Sequence, residues 1–156
     1  MGDMPAPMHA ADAAAQVDAL SSTLDDRRRT ALRLRGVRDD AETLYRREQS
    51  KARLVVEGRN ADDRAANVEL SPLSDAVIVE GHGLACRLFG DESDWKPESV
   101  GDLRWLRDRA EGMADATSAS AYDARERLKS WSSVAAMARS EAELAPPERG
   151  PRAVPA

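Results

Sequence analysis

The sequence predicts an all-α protein: a long antiparallel, coiled-coil-like helical hairpin with a short corner helix and an irregular middle lobe. Three observations carry that prediction. Hydrophobic residues make up 42% of the 156 residues, yet Leu, Ile, Val and Phe together supply less than a fifth, so alanine fills much of the apolar fraction. Alanine has the highest intrinsic helix propensity, because it loses no side-chain entropy in a helix. Apolar residues then recur at three-or-four spacing near both ends of the chain, the signature of one helical face. Between those stretches lie helix stop and start signals rather than a second periodic run.

Residues 1–12, with Pro5 and Pro7 among small residues, are expected to be disordered. A first helix is predicted over 13–57. Its stripe runs Leu24, Arg27, Ala31, Leu34, Arg38, Ala41, Tyr45, Glu48, Ala52, Val55, with seven of ten positions apolar. Gly36 inside it costs about 1 kcal/mol relative to alanine, which the surrounding helix formers absorb.

The stretch EGRNADDR follows. Gly58 stands where a helix end calls for positive φ, and Asn60 is a strong N-cap. Asp63 sits three positions later, echoing a capping box, and with Asp62 it suits the positive end of a helix dipole. Gly58, Asn60 and Asp63 therefore form a structural corner leading into a helix over 61–70. A DNA-reading helix-turn-helix is the rival, but two aspartates opening its second helix would repel phosphate.

Ser71-Pro72 closes that helix, and 71–96 forms the irregular lobe. Its core, AVIVEGHGLACRLFG, reads two ways. Gly81-His82-Gly83 turns a hairpin, or Val77, Glu80 or Gly81, Leu84 and Leu88 line a helix. A lone two-stranded hairpin is marginal, which leans the reading toward irregular or short helical structure.

A last helix is predicted over 97–144, with Pro97 in its first turn or Ser99-Val100-Gly101-Asp102 as an alternative capping start. Its seam comprises Ala110, Met113, Ala121, Ala124, Leu128, Trp131, Ala135 and Ala138. Two steps of four around Thr117 shift the heptad phase. Residues 145–156, rich in Pro and charge, are expected to be disordered. The span 13–144 is thus read as a single helical domain.

For function, the sequence excludes more than it offers. Cys86 is the sole cysteine, which rules out an intramolecular disulfide and a multi-cysteine metal site. His82 and Cys86 share helical spacing, but only His9 remains as another His or Cys ligand, and no third group completes a nucleophilic site. Asp91, Glu92 and Asp94 lack the EF-hand spacing. No cofactor is implied, no catalytic residue stands out, and the chain reads as a non-enzyme. No secretory leader or membrane span is recognised, so the expected location is cytoplasmic.

From 25 to 59 there are eleven basic and seven acidic residues; from 60 to 102 there are three basic and ten acidic. Arg27, Arg28, Arg29, Arg33 and Arg35 are the residues for an alternative role as an accessory nucleic-acid binder. Helical i,i+4 pairs such as Asp25–Arg29, Arg35–Asp39 and Arg38–Glu42 are the bland explanation, and no aromatics interleave the arginines. Opposite charge on the two regions also suits protein contact, with Trp95, Trp105 and Trp131 as anchors.

The segments TLYRREQSKARLVVEGRNADDRAANVEL and YDARERLKSWSSVAAMARSEAEL carry a resemblance. Through Glu57, Gly58, Asn60 and Arg64, and through Arg139, Ser140 and Glu141, the chain resembles small helical accessory proteins of actinobacterial phages and prophages. It departs from them between 71 and 99. The resemblance implies a phage-like origin and an accessory role with no catalytic residue to carry over. Together these observations favour a non-catalytic interaction or assembly module that self-associates through its alanine-rich seams. Its partner is expected to be itself or another phage or host protein.

Overall fold

The computed structural model describes residues 10–144; the expected terminal segments lie largely outside them, and only residues 10–12 of the first are seen, already helical. Four helices follow in order: α1 (Ala10–Val55), α2 (Ala61–Leu70), α3 (Asp75–Phe89) and α4 (Val100–Leu144). Helix accounts for 86% of the described residues, none of which forms a strand, and α1 and α4 pack against each other as the arms of a helical hairpin. The chain divides into two compact units: residues 10–26 with 121–144, and Arg27–Ser120. The second contains α2 and α3, which add a third and fourth helix to the pair.

In the Arg27–Ser120 unit one buried cluster includes Leu34, Val37, Leu44 and Tyr45 of α1, Val77, Leu84 and Leu88 of α3, and Val100, Leu103 and Leu106 of α4. Every position of the α1 stripe from Leu24 to Ala52 is buried or half-buried, whereas Val55 is exposed. The stripe is wider than its heptad spacing suggests, since Val37 and Leu44 are buried too. The reason is α3, which is bound to α1 by the ion pairs Arg47–Glu80 at 2.8 Å and Arg87–Asp40 at 2.6 Å.

The irregular lobe expected over 71–96 is corrected over most of its length, because α3 is a regular helix of 15 residues. Ser74 caps it, its side chain accepting from the Val77 N–H. Val77, Gly81, Leu84, Ala85 and Leu88 are buried along one face. Gly81 belongs there because a Cβ would collide with the Pro97 ring and come within 3.3 Å of Leu103. The glycine that weakens the helix locally is what lets it pack.

The corner stands with one correction. Asn60 caps α2, its Oδ1 accepting from the Asp63 N–H at 2.8 Å. Gly58 does not take positive φ; among the described residues only Gly90 does, at 112°. α1 already stops at Val55, and the Glu57 carbonyl is met by the Asn67 amide at 2.9 Å instead of by a left-handed cap. Gly58 is needed for room: a Cβ would lie 2.7 Å from the Arg64 backbone nitrogen.

α4 begins at Val100, not Pro97. The capping alternative is the one formed, with Asp102 Oδ2 accepting from the Ser99 N–H at 3.1 Å and the Glu98 N–H at 2.8 Å. Residues 71–73 lie beside 98–100, joined by Leu73 N–H to Glu98 O at 3.0 Å and Val100 N–H to Ser71 O at 3.1 Å.

Candidate functional site

Of the eight seam residues, Ala110, Ala121, Ala124 and Ala135 are buried, while Met113, Leu128, Trp131 and Ala138 are half-buried. The phase shift resolves through Ala114, which is 3% exposed and replaces Met113 on the buried line. Four of the five seam alanines are thus consumed inside the chain. In the unit of 10–26 with 121–144, Leu24 packs with Ala121 and Ala124, and Leu128 lies against them. Val17, Leu20, Leu128, Trp131 and Val134 stay half-exposed there. Two helices alone cannot cover side chains of that size.

The arginine stretch is largely spent within the chain. Arg27 Nη1 donates to Ser120 O at 3.0 Å, Arg35 Nη2 to Ser118 Oγ at 2.9 Å, and Arg33 Nη1 to Arg87 O. Arg29 is also engaged within the chain, and Arg28 is exposed. Of the expected i,i+4 pairings, Arg38 instead reaches Asp39 at 2.9 Å and Glu111 of α4 at 3.5 Å. Glu42 is held by Arg46 on its own helix and by Arg107 of α4 at 2.9 Å. The hydrogen bond from Arg46, then that from Arg107, lowers the Glu42 carboxyl below its ordinary range against the opposing effect of burial.

His82 and Cys86 do meet. His82 Nδ1 lies 2.9 Å from the Trp95 carbonyl, which only accepts, so Nδ1 bears the proton. Nε2 then accepts from the Cys86 thiol, 3.6 Å away. The thiol also approaches the carbonyls of Asp91 and Ser93 at 3.9 Å each. Surrounded by acceptors, the pair fastens α3 to the loop after it. Among the described residues no group of three or more His, Cys, Asp or Glu is placed to hold a metal ion.

Two features escaped the sequence reading. The first is a polar chain: Gln49 Nε2 donates to Tyr45 Oη at 2.9 Å, and Tyr45 O–H to Glu69 Oε1 at 2.6 Å. Glu69 Oε2 is buried without a hydrogen bond, its nearest cation being Arg104 Nε at 3.5 Å. Burial, then the neighbouring Glu69, raises the Tyr45 phenol above its ordinary value, and Arg107 lies over its ring at 5.0 Å. Gln49, Glu69 and Arg104 border an open groove of about 700 Å³ that Arg53 and Arg64 also line. The second is an aromatic group: Trp95 stacks on Trp105 with centroids 5.2 Å apart, and Phe89 meets Trp105 at 6.1 Å. The tryptophans were visible as anchors, but Phe89 joins them only because α3 ends where α4 begins.

No family model, curated protein or solved structure matches the chain. No helix among the described residues is long and apolar enough to cross a membrane.

Proposed function

We propose that the protein is a non-catalytic protein–protein interaction and assembly module that self-associates through the helical pair 10–26 and 121–144. One observation carries the reading: Val17, Leu20, Leu128, Trp131 and Val134 remain half-exposed along a pair in which Ala13, Ala121, Ala124 and Ala135 are already buried. A second copy laid against this side would complete their burial, worth about 25 cal/mol per Å² of apolar area removed from water. Charge favours an antiparallel match. Residues 10–26 hold four aspartates and no base, whereas 125–139 holds four bases and only Glu126 as an acid. Each copy's acidic segment then faces the other's basic one. The phage-like resemblance is in keeping with such an accessory role.

Sedimentation equilibrium across the micromolar range tests this. The wild-type chain is expected to associate, and Leu128→Glu with Trp131→Glu to leave a monomer of unchanged helicity by circular dichroism. A wild-type chain that stays a folded monomer throughout would overturn the proposal.

A further inference from the structure

We propose that Phe89, Trp95 and Trp105, together with Asp91, Glu92 and Asp94, form a second docking surface, one that takes a Lys- or Arg-bearing segment of a partner protein. The chain has only six aromatic residues, three Trp, two Tyr and one Phe, and three of them meet here. Phe89 is 40% and Trp105 46% exposed. Large aromatic surface left in water at one spot is the usual mark of an interaction anchor, and tryptophan is the residue type most enriched among such anchors.

The platform is rigid before any partner arrives. Trp95 packs against the main buried cluster, and its carbonyl is held by His82 at 2.9 Å. Ser93 N–H donates to Gly90 O at 3.1 Å, and Trp95 N–H to Ser93 Oγ at 3.4 Å. Little ordering entropy therefore remains to be lost on binding.

Charge selects the occupant. Asp91, Glu92 and Asp94 lie one to four residues from Trp95, and none is ion-paired among the described residues. Lys96 is the only cation between 90 and 99. Carboxylates attract a cationic head, and the face of an indole ring attracts it as well. The same carboxylates repel phosphate, so the exposed rings are not a stacking platform for nucleic acid. The surface lies wholly within Arg27–Ser120 and does not depend on the self-association proposed above.

The test uses the full chain carrying Trp131→Phe, so that emission reports only Trp95 and Trp105. The probes are a synthetic helical peptide of Lys, Arg, Leu and Ala, its counterpart with Glu at every basic position, and a single-stranded oligothymidine. The basic peptide is expected to give a saturable emission change, weakened by salt, with the acidic peptide at least about tenfold weaker. Replacing the loop acids together (Asp91→Asn, Glu92→Gln, Asp94→Asn) leaves the rings and the helicity in place and is expected to cost at least about tenfold in affinity. No response to the basic peptide, an equal response to the acidic one, indifference to the triple replacement, or binding of the oligonucleotide would each overturn the proposal.

Discussion

Two glycines in α3, two positions apart, make opposite demands. Gly81 is buried against Pro97 and Leu103, whereas a Cβ on Gly83 would meet nothing within 4 Å. Alanine in a helix interior normally gains about 1 kcal/mol over glycine. At Gly83 that gain is unopposed, so Gly83→Ala is expected to stabilise by about 0.5–1 kcal/mol. At Gly81 the obstacle is a proline ring that cannot rotate away, so Gly81→Ala is expected to destabilise by about 1–3 kcal/mol. Urea titrations of the two variants check the opposite signs. Tyr45 is the second sensitive residue. Tyr45→Phe leaves Glu69 Oε1 without its donor and Gln49 without its acceptor, beside a Glu69 oxygen that already lacks a hydrogen bond. A loss of about 1–3 kcal/mol is expected in the same titration.

Elements are set by their ends and by the charges that clamp them. Asn60 was legible as the α2 cap because the capping bond is local, three residues long. Asn60→Ala is expected to cost about 1 kcal/mol and Asn60→Gly only a few tenths, measured by thermal unfolding. Gly58 was legible as a corner glycine but not for its reason, since the approach of Arg64 depends on how α2 folds back. The Glu42 clamp joins α1 to α4 and has a definite pH dependence. Its carboxyl is lowered in the folded chain, chiefly by Arg46 and Arg107. The stabilisation it contributes is therefore present above the ordinary glutamate value of about 4.3 and is lost as pH falls through the lower folded value. Glu42→Gln is expected to cost about 1 kcal/mol at neutral pH. The gap from wild type should hold steady down to about pH 5 and shrink at lower pH. A constant gap down to pH 3 would show that the clamp carries no such linkage.

Across the whole molecule, burial is uneven. The Arg27–Ser120 unit places Leu34, Val37, Leu103 and Leu106 at 2% exposure or less, whereas among the large apolar side chains of 10–26 and 121–144 only Leu24 is buried. Local stability follows apolar burial. Amide hydrogen exchange is therefore expected to be slowest at 34–45 and 103–114, and markedly faster at 13–20 and 131–140. Equal protection in the two sets would contradict the packing described. Dilution should widen the difference if self-association covers the second set.

The chain's own order of residues determined what local rules govern: two long helices, the corner at 57–61, the helix over 61–70, and most positions of both stripes. Propensity, capping and three-or-four spacing act over a single turn and need no knowledge of the rest. Tertiary structure decided what depends on distant partners. α3 is a helix because Gly81 receives Pro97 and its buried face shares a core with Leu34 and Leu103, contacts that no window around 75–89 contains. Likewise Tyr45 finds Glu69, Arg107 finds Glu42, and Phe89 comes to lie beside Trp105. Periodicity names a face, but only the packed chain settles what covers it and what is left open.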